Sequence, residues 1–374
     1  MYSASVVSRR LALLLATLVL VGCAGKRTAP KPPLFPFTPT WKTMLGEPVV
    51  APLAADSRRV YVATGDGVVQ ALDPETGAVA WKVEGLPGRL SAADGVLLAR
   101  ADDGTLRSLQ PRTGAVRWKS DTGVAGTLPA VVDGDRALVA GRGVAAVDLA
   151  SGRVIWADPS GAETTTPPVT AGSRLVAGEK DGTLRCRDRA TGLSLWVLRT
   201  RGPLLAPPLV DEARRRLYLG TTDKRILEVS LDEGKAGWAW RVGADVGHPG
   251  LLLPGRVLFD SYDAVLYSLH RGGNLAWRGA LPSRPLSAPL LFGGYLLVAC
   301  LENELVAFLP DTGKRAGGFR TPAEIRTPPI LVGGQVVVGL RDRSVVAYAP
   351  AGRSPAPSPE PAAAPPADGP PPRP

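Results

Sequence analysis

Histidine, methionine and cysteine are nearly missing from this chain of 374 residues, which has two, two and three of them. His248 and His270 have no cysteine or carboxylate at metal-ligand spacing, so no zinc or mixed-ligand metal site is predicted and both read as surface or turn residues. Cys186 and Cys300 fall at different places in different repeats, and a disulfide needs Cα atoms within about 7 Å. Buried free thiols are expected there. No G-x-S-x-G elbow, phosphate-binding loop or dinucleotide fingerprint occurs. Acid pairs such as Asp102-Asp103 and Asp211-Glu212 sit in turn-like sequence, where solvation accounts for them. No helical period organises the chain, and its one sustained apolar run, Leu11 to Val21, is too short to span a bilayer.

That run has the length of a secretory signal's apolar core, follows Arg9-Arg10 and ends in Leu20-Val21-Gly22-Cys23. The ending resembles a bacterial lipobox. It implies cleavage after residue 22 and acylation of Cys23, with palmitate-like chains anchoring a soluble body to a membrane at about 0.8 kcal/mol per buried CH₂. Ala24 rather than Asp follows the cysteine, which by resemblance to enterobacterial sorting directs the protein to the outer membrane. Loss of Arg9 and Arg10 takes the formal charge from +10 to +8, since residues 1–22 hold no acid. Such a surface suits anionic membranes or acidic proteins, and export argues against nucleic acid.

What the chain has in quantity is a motif repeated every forty residues or so. Its clearest copy starts at Val60-Tyr61-Val62-Ala63, turns at Asp66-Gly67, continues through Val68 to Leu72, turns again at Thr76-Gly77 and reaches Trp81-Lys82. The second glycine recurs at Gly114, Gly152, Gly192, Gly234, Gly273 and Gly313, with a degenerate last copy at Gly352. Trp118, Trp156, Trp196, Trp238 and Trp277 follow four residues after their glycines. Asp-Gly pairs at 66–67, 103–104 and 181–182 are two-residue hairpin signals, because the turn needs positive φ. Proline-containing segments at Pro52, Pro129, Pro167, Pro207, Pro289 and Pro328 introduce a further short strand. Four antiparallel strands per unit predict an all-β propeller of about eight blades.

The ends of the repeat array complement each other. The last unit, from about Arg326 to Gly352, lacks its fourth strand and its tryptophan, and Thr40-Trp41-Lys42 is an orphan copy of that strand. Together they make one blade and leave no free edge in the ring. Trp41 and its six counterparts are therefore read as blade-docking residues that pack across to a neighbour and bond through the indole N–H. In the seventh repeat, Gly317-Gly318-Phe319 stands where the tryptophan should fall, marking a weak blade or one adapted to a partner. The predicted layout is a signal at 1–22, lipidated Cys23 with a Pro-rich tether at 23–37, the propeller at 38–352, and a disordered Pro/Ala-rich tail at 353–374. The tether spans roughly 40 Å if extended at about 3.1 Å per residue.

The pattern Ala71-x-Asp73-x-x-Thr76-Gly77-x-x-x-Trp81, repeated at Ala146-x-Asp148 with Gly152 and Trp156, resembles the repeat of quinoprotein alcohol dehydrogenases. One branch sharing it is the dehydrogenases themselves. Their chemistry requires a quinone, Ca²⁺, a catalytic Asp and typically an adjacent Cys-Cys pair, which this chain does not have. The other branch is the lipoprotein subunit of the outer-membrane β-barrel assembly machinery, the BamB family, with the same plan of lipobox, tether and propeller. That resemblance implies a non-catalytic, periplasm-facing scaffold without cofactor. It would dock on periplasmic domains of a BamA-like protein and help deliver unfolded outer-membrane proteins. The Pro-rich tail departs from the family plan. Alternatives are an envelope lipoprotein propeller with another partner or polymer and, behind it, a quinone-dependent dehydrogenase-like protein. The connector after Trp196 mixes Leu198, Arg199, Arg201 and Leu204 where a polar loop is ordinary, and is the predicted partner contact. Its leucines would alternatively just enter the next strand. Arg214-Arg215-Arg216 adds positive charge nearby or is simply an exposed turn.

Overall fold

A computed structural model of the chain describes residues 35–93 and 95–351. The signal, Cys23 and the tail lie outside the described residues. Among the described residues, 31 strands form eight sheets, all antiparallel: blades 1 to 7 at 54–83, 89–121, 131–163, 169–199, 209–241, 251–280 and 290–320. Blade 8 takes three strands from 330–350, and its outermost strand is Phe37–Met44, paired with Ser344–Pro350. Eight separate apolar clusters fill the eight seams. One of them joins Val337, Val345 and Ala347 of the last blade to Val60, Val62 and Leu72 of the first. The ring is an eight-bladed β-propeller closed by the N-terminal strand.

Each seam repeats one contact. The indole N–H of Trp41, Trp81, Trp118, Trp156, Trp196, Trp238 or Trp277 donates to a carbonyl in the outer turn of the following blade at 2.9–3.2 Å. The ring lies over that turn's glycine. A Cβ on Gly77, Gly114, Gly152, Gly192, Gly234, Gly273 or Gly313 would stand only 2.3–2.8 Å from the nearest side-chain carbon of the indole. All seven also have φ between +66° and +88°, so backbone conformation and space both demand glycine. In most blades an extra residue just before the tryptophan, such as Ala80 in blade 1, bulges the outer strand and re-aims the side chain.

Two blades depart from the pattern. In blade 7 the tryptophan site is Gly317, and the space is filled from elsewhere: the Phe35 ring lies 2.8 Å from where a Cβ would stand. Phe35, Phe37, Phe319 and Tyr348 form a chain of rings with centroids 4.8–5.4 Å apart. The expected weak blade is thus an aromatic seam built with the N-terminal segment, and Phe37, assigned to the tether, is buried core. Blade 3 has Gly141-Arg142-Gly143 in place of an Asp-Gly turn. Its two middle strands run together as Arg136–Asp148, folded back so that Leu149 N–H meets Asp135 O at 2.9 Å, as Arg189 meets Ser173 in blade 4.

The seam between blades 3 and 4 has the smallest apolar cluster, with Leu138, Ala140, Val144, Ala146 and Leu175. A buried ion network accompanies it. Glu179 accepts from Arg185 at 2.5 and 3.0 Å, while Arg187 lies 3.7 Å from Glu179 and 3.5 Å from Asp158. Cys186 and Cys300 are free and buried.

Replacing Trp196 with alanine removes both halves of the seam contact and should destabilise by about 3 kcal/mol. Trp196→Phe keeps the packing, loses the bond to Leu231 and should cost about 1 kcal/mol; urea unfolding separates the two. Burial pushes the Cys186 thiol up to about 11 and Cys300 up to about 12. Neither should react with iodoacetamide at about pH 8 until denaturant is added, which mass spectrometry reads directly.

Candidate functional site

Alternating strand direction puts two kinds of loop on two faces. One face carries the glycine turns that receive the tryptophans. The other carries the connectors between blades and the inner hairpins, and the predicted partner contact lies there. The connector after blade 4 is pinned by its backbone: Thr200 Oγ donates to Gly182 O at 2.6 Å, and Thr165 Oγ donates to Leu204 O at 2.8 Å.

This pinning sorts the predicted residues. Leu204 is wholly buried with Val176, Leu217 and Leu219 in the seam between blades 4 and 5, and Leu198 is half-buried against the same cluster. Leu204 is closed to a partner, because the connector's turn returns it to the core. Arg199 and Arg201 are exposed, and the aliphatic side chain facing out is Leu205. Arg214, Arg215 and Arg216 lie on the opposite face and are paired with Asp211, Asp232 and Glu228.

The electrostatics of the two faces differ. On the glycine-turn face, ion pairs tie consecutive blades: Arg189–Asp133 at 2.6 Å, Arg174–Asp232 at 2.9 Å, Arg271–Asp211, and Arg256–Asp311 at 2.6 Å. These join blades 3 through 7 and neutralise one another. On the connector face, Arg199, Arg201, Lys224, Arg241 and Arg320 are exposed and form no ion pair among the described residues. They span blades 4 to 7. The same face of blades 1 and 2 carries exposed Asp66, Glu84, Asp103 and Asp121. Asp66 and Asp103 are held below the usual carboxylate range by hydrogen bonds from Thr64 and Thr105. The face is therefore polar: blades 4 to 7 carry these cations as a basic crescent, in excess of the exposed Asp181 and Glu302 among them, and blades 1 and 2 form the more acidic side.

Within the crescent lies a cluster that the sequence reading missed. His248 lies at a bend of the connector, as the turn reading expected, but is half-buried, with Nδ1 2.6 Å from Oδ2 of Asp260, which is fully buried. Burial raises the Asp260 carboxyl, and the bond to His248 opposes the shift. Tyr262 stands edge-on to the imidazole, and Arg284 caps the Tyr262 ring at 3.5 Å. The available signal was an aspartate in an apolar strand, Val257-Leu258-Phe259-Asp260. His270 is exposed at a strand end, as expected. Among the described residues, no group of three His, Cys, Asp or Glu could hold a metal ion.

Comparison with known proteins places this architecture. The profile of the family described as outer membrane protein assembly factor BamB matches residues 38–122, 102–248 and 262–354. The chain belongs to the BamB family. A BamB of Alkalilimnicola ehrlichii is 28% identical over 167 residues, covering 41% of this chain and 42% of that protein. One of Shewanella oneidensis is 26% identical over 149 residues, covering 36% and 38%. The aligned region spans about two fifths of these curated BamB relatives. Among solved structures, BamB from Moraxella catarrhalis superposes with a TM-score of 0.70 at 19% identity, covering 84% of this chain and 98% of that one. The quinohemoprotein alcohol dehydrogenase of Comamonas testosteroni gives 0.68 at 14% identity, covering 87% and 78%. At these identities the superpositions establish the propeller fold that BamB shares with the dehydrogenase.

Leu204→Ala should cost about 3 kcal/mol as a core cavity, whereas Leu205→Asp should stay within about 0.5 kcal/mol of the parent. Thermal unfolding of both variants checks the assignment of inward and outward leucines.

Proposed function

We propose that the protein is a non-catalytic scaffold of outer-membrane β-barrel assembly, anchored in the outer membrane through acylated Cys23 and facing the periplasm. Family membership supports the assembly role. The observation that carries the docking face is the contrast between the neutralised glycine-turn face and the unpaired basic crescent at Arg199, Arg201, Lys224 and Arg241. Unpaired arginines beside an exposed aliphatic such as Leu205 suit a protein interface, and their field steers an acidic partner surface. The partner in this reading is the periplasmic part of a BamA-like protein, and the clients are unfolded outer-membrane proteins. The propeller is the body at 38–352, with 23–37 as tether, shortened by the residues from Phe35 onward that pack into the ring, and 353–374 as a passive tail.

A photo-crosslinking residue at position 201 in cells should capture a component of the barrel-assembly machinery. The same residue at position 135, on the opposite face, should not. With the crosslinker at 201, Arg199→Glu with Arg241→Glu should abolish the product while Tm is kept, and Cys23→Ser should release the protein from the membrane fraction. Recovery of no assembly component from position 201, with normal outer-membrane protein levels in a deletion strain, would sink the proposal.

A further inference from the structure

Among the described residues the outer strand of every blade has one edge unpaired, and beyond the bulge that most blades share, proteins ordinarily protect such edges with charge or small residues. The two positions flanking the tryptophan point outward here. In the seven other blades at least one of the pair is Ala, Gly, Lys or Arg. These include Ala80 and Lys82 in blade 1, Gly237 and Ala239 in blade 5, and Ala316 and Gly318 in blade 7, where glycine replaces the tryptophan. Blade 4 departs from this protection, with Leu195 and Val197. They are 51% and 52% exposed, and Leu193, just before the strand, is 69% exposed. Blade 3's outer strand adds exposed Val154 and Ile155.

The strand Ser194–Arg199 pairs with Thr183–Asp188 on one side only. Leu195 is the bulged residue. From Trp196 to Arg199 the register is regular, opposite Cys186 to Thr183, and the far edge of this half is open. Val197 and Arg199 alternate on the solvent side, while Trp196 and Leu198 turn into the seam with blade 5. At its end the strand therefore presents an unpaired guanidinium, followed two residues later by that of Arg201.

We propose that this edge is a docking site for an extended polypeptide segment of alternating apolar residues that carries a carboxylate beside Arg199. Main-chain pairing along 196–199 supplies register-independent affinity, Leu193, Leu195 and Val197 take the apolar side chains, and Arg199 fixes the end by charge complementarity. Three outward apolar residues in a row, Leu193, Leu195 and Val197, ending at the Arg199 guanidinium, suit a chain whose backbone groups are free along its length, so the ligand committed to is an unfolded or partly folded β-segment. The inference rests on the scaffold reading above for the natural identity of that client. Capture of the segment itself does not.

The test is fluorescence anisotropy on the purified chain, using a short fluorescein-labelled peptide that alternates Val and Thr and ends in Asp. A scrambled peptide of the same composition serves as control. The alternating peptide should bind better than the scrambled one, and Leu195→Lys with Val197→Lys should weaken it roughly tenfold or more, equivalent to about 1.4 kcal/mol. Lysine stands at the position of Val197 in blades 1, 2 and 8 (Lys82, Lys119, Lys42) and arginine at that of Leu195 in blade 2 (Arg117), so an unchanged Tm is expected. Arg199→Glu should weaken the Asp-ended peptide and spare one ending in Lys. Equal binding of the two peptides, or binding unaffected by the double variant, overturns the proposal. So does finding that the edge is occupied by a second copy of the chain, seen as a dimer in ultracentrifugation that the double variant dissolves. The double variant should still crosslink through position 201. If the parent chain captures no assembly component there, the scaffold reading fails while the peptide result stands.

Discussion

The docking of an indole onto the next blade's glycine is the contact on which the ring depends. It couples two demands that neither residue meets alone. The turn needs positive φ and leaves a carbonyl without a strand partner; glycine supplies the φ, and the indole N–H supplies the bond. The glycine must also lack a Cβ, since the ring occupies that volume. A blade therefore completes its neighbour, and one blade alone cannot bury its apolar face. The spacing of glycine and tryptophan is the imprint of that mutual dependence, which is why the architecture was legible from the sequence. The orphan Trp41 reads the same way: it needs a glycine turn to cover, and Gly77 of blade 1 is there.

What the period does not carry was not legible. Phe35 precedes the repeats, and its role is to fill a void at Gly317, far away in sequence; no spacing rule connects the two. Blade 7 thus read as weak or adapted to a partner, when its missing indole is replaced by a ring from the N-terminal segment. Leu204 failed for a related reason. A connector has no periodicity of two, so inward and outward residues cannot be told apart until Thr165 and Thr200 are seen fixing its course. His248 and Asp260 meet only because a connector crosses the end of a strand in the next blade.

Charge follows the same division between local and long-range information. Composition reveals a basic chain but not which arginines are spent. On the glycine-turn face four of the pairings cross between neighbouring blades, and partly exposed pairs of this kind contribute about 1 kcal/mol or less apiece. Their larger consequence is subtraction. They remove one face from the long-range field and leave the connector face to set the direction in which a charged partner approaches.

The same subtraction applies to shape. Seam packing dictates the inward side of each outer strand, the glycine turn and the bulge before the tryptophan, and these recur with little variation around the ring. Only the outward positions escape that constraint, so there the blades are free to differ. Stability alone gives no reason to place Leu195 and Val197 in solvent, where they add nothing to a seam and expose an edge to unwanted pairing. Nor do they compensate for the thin seam between blades 3 and 4, whose buried charges Glu179, Arg185 and Arg187 already occupy the inner part of that junction. A residue choice that packing does not ask for, at a position packing does not control, points to selection by a binding partner. In a ring whose blades share one packing rule, the blade whose outward edge positions are both aliphatic is where the proposed extended segment would find its place.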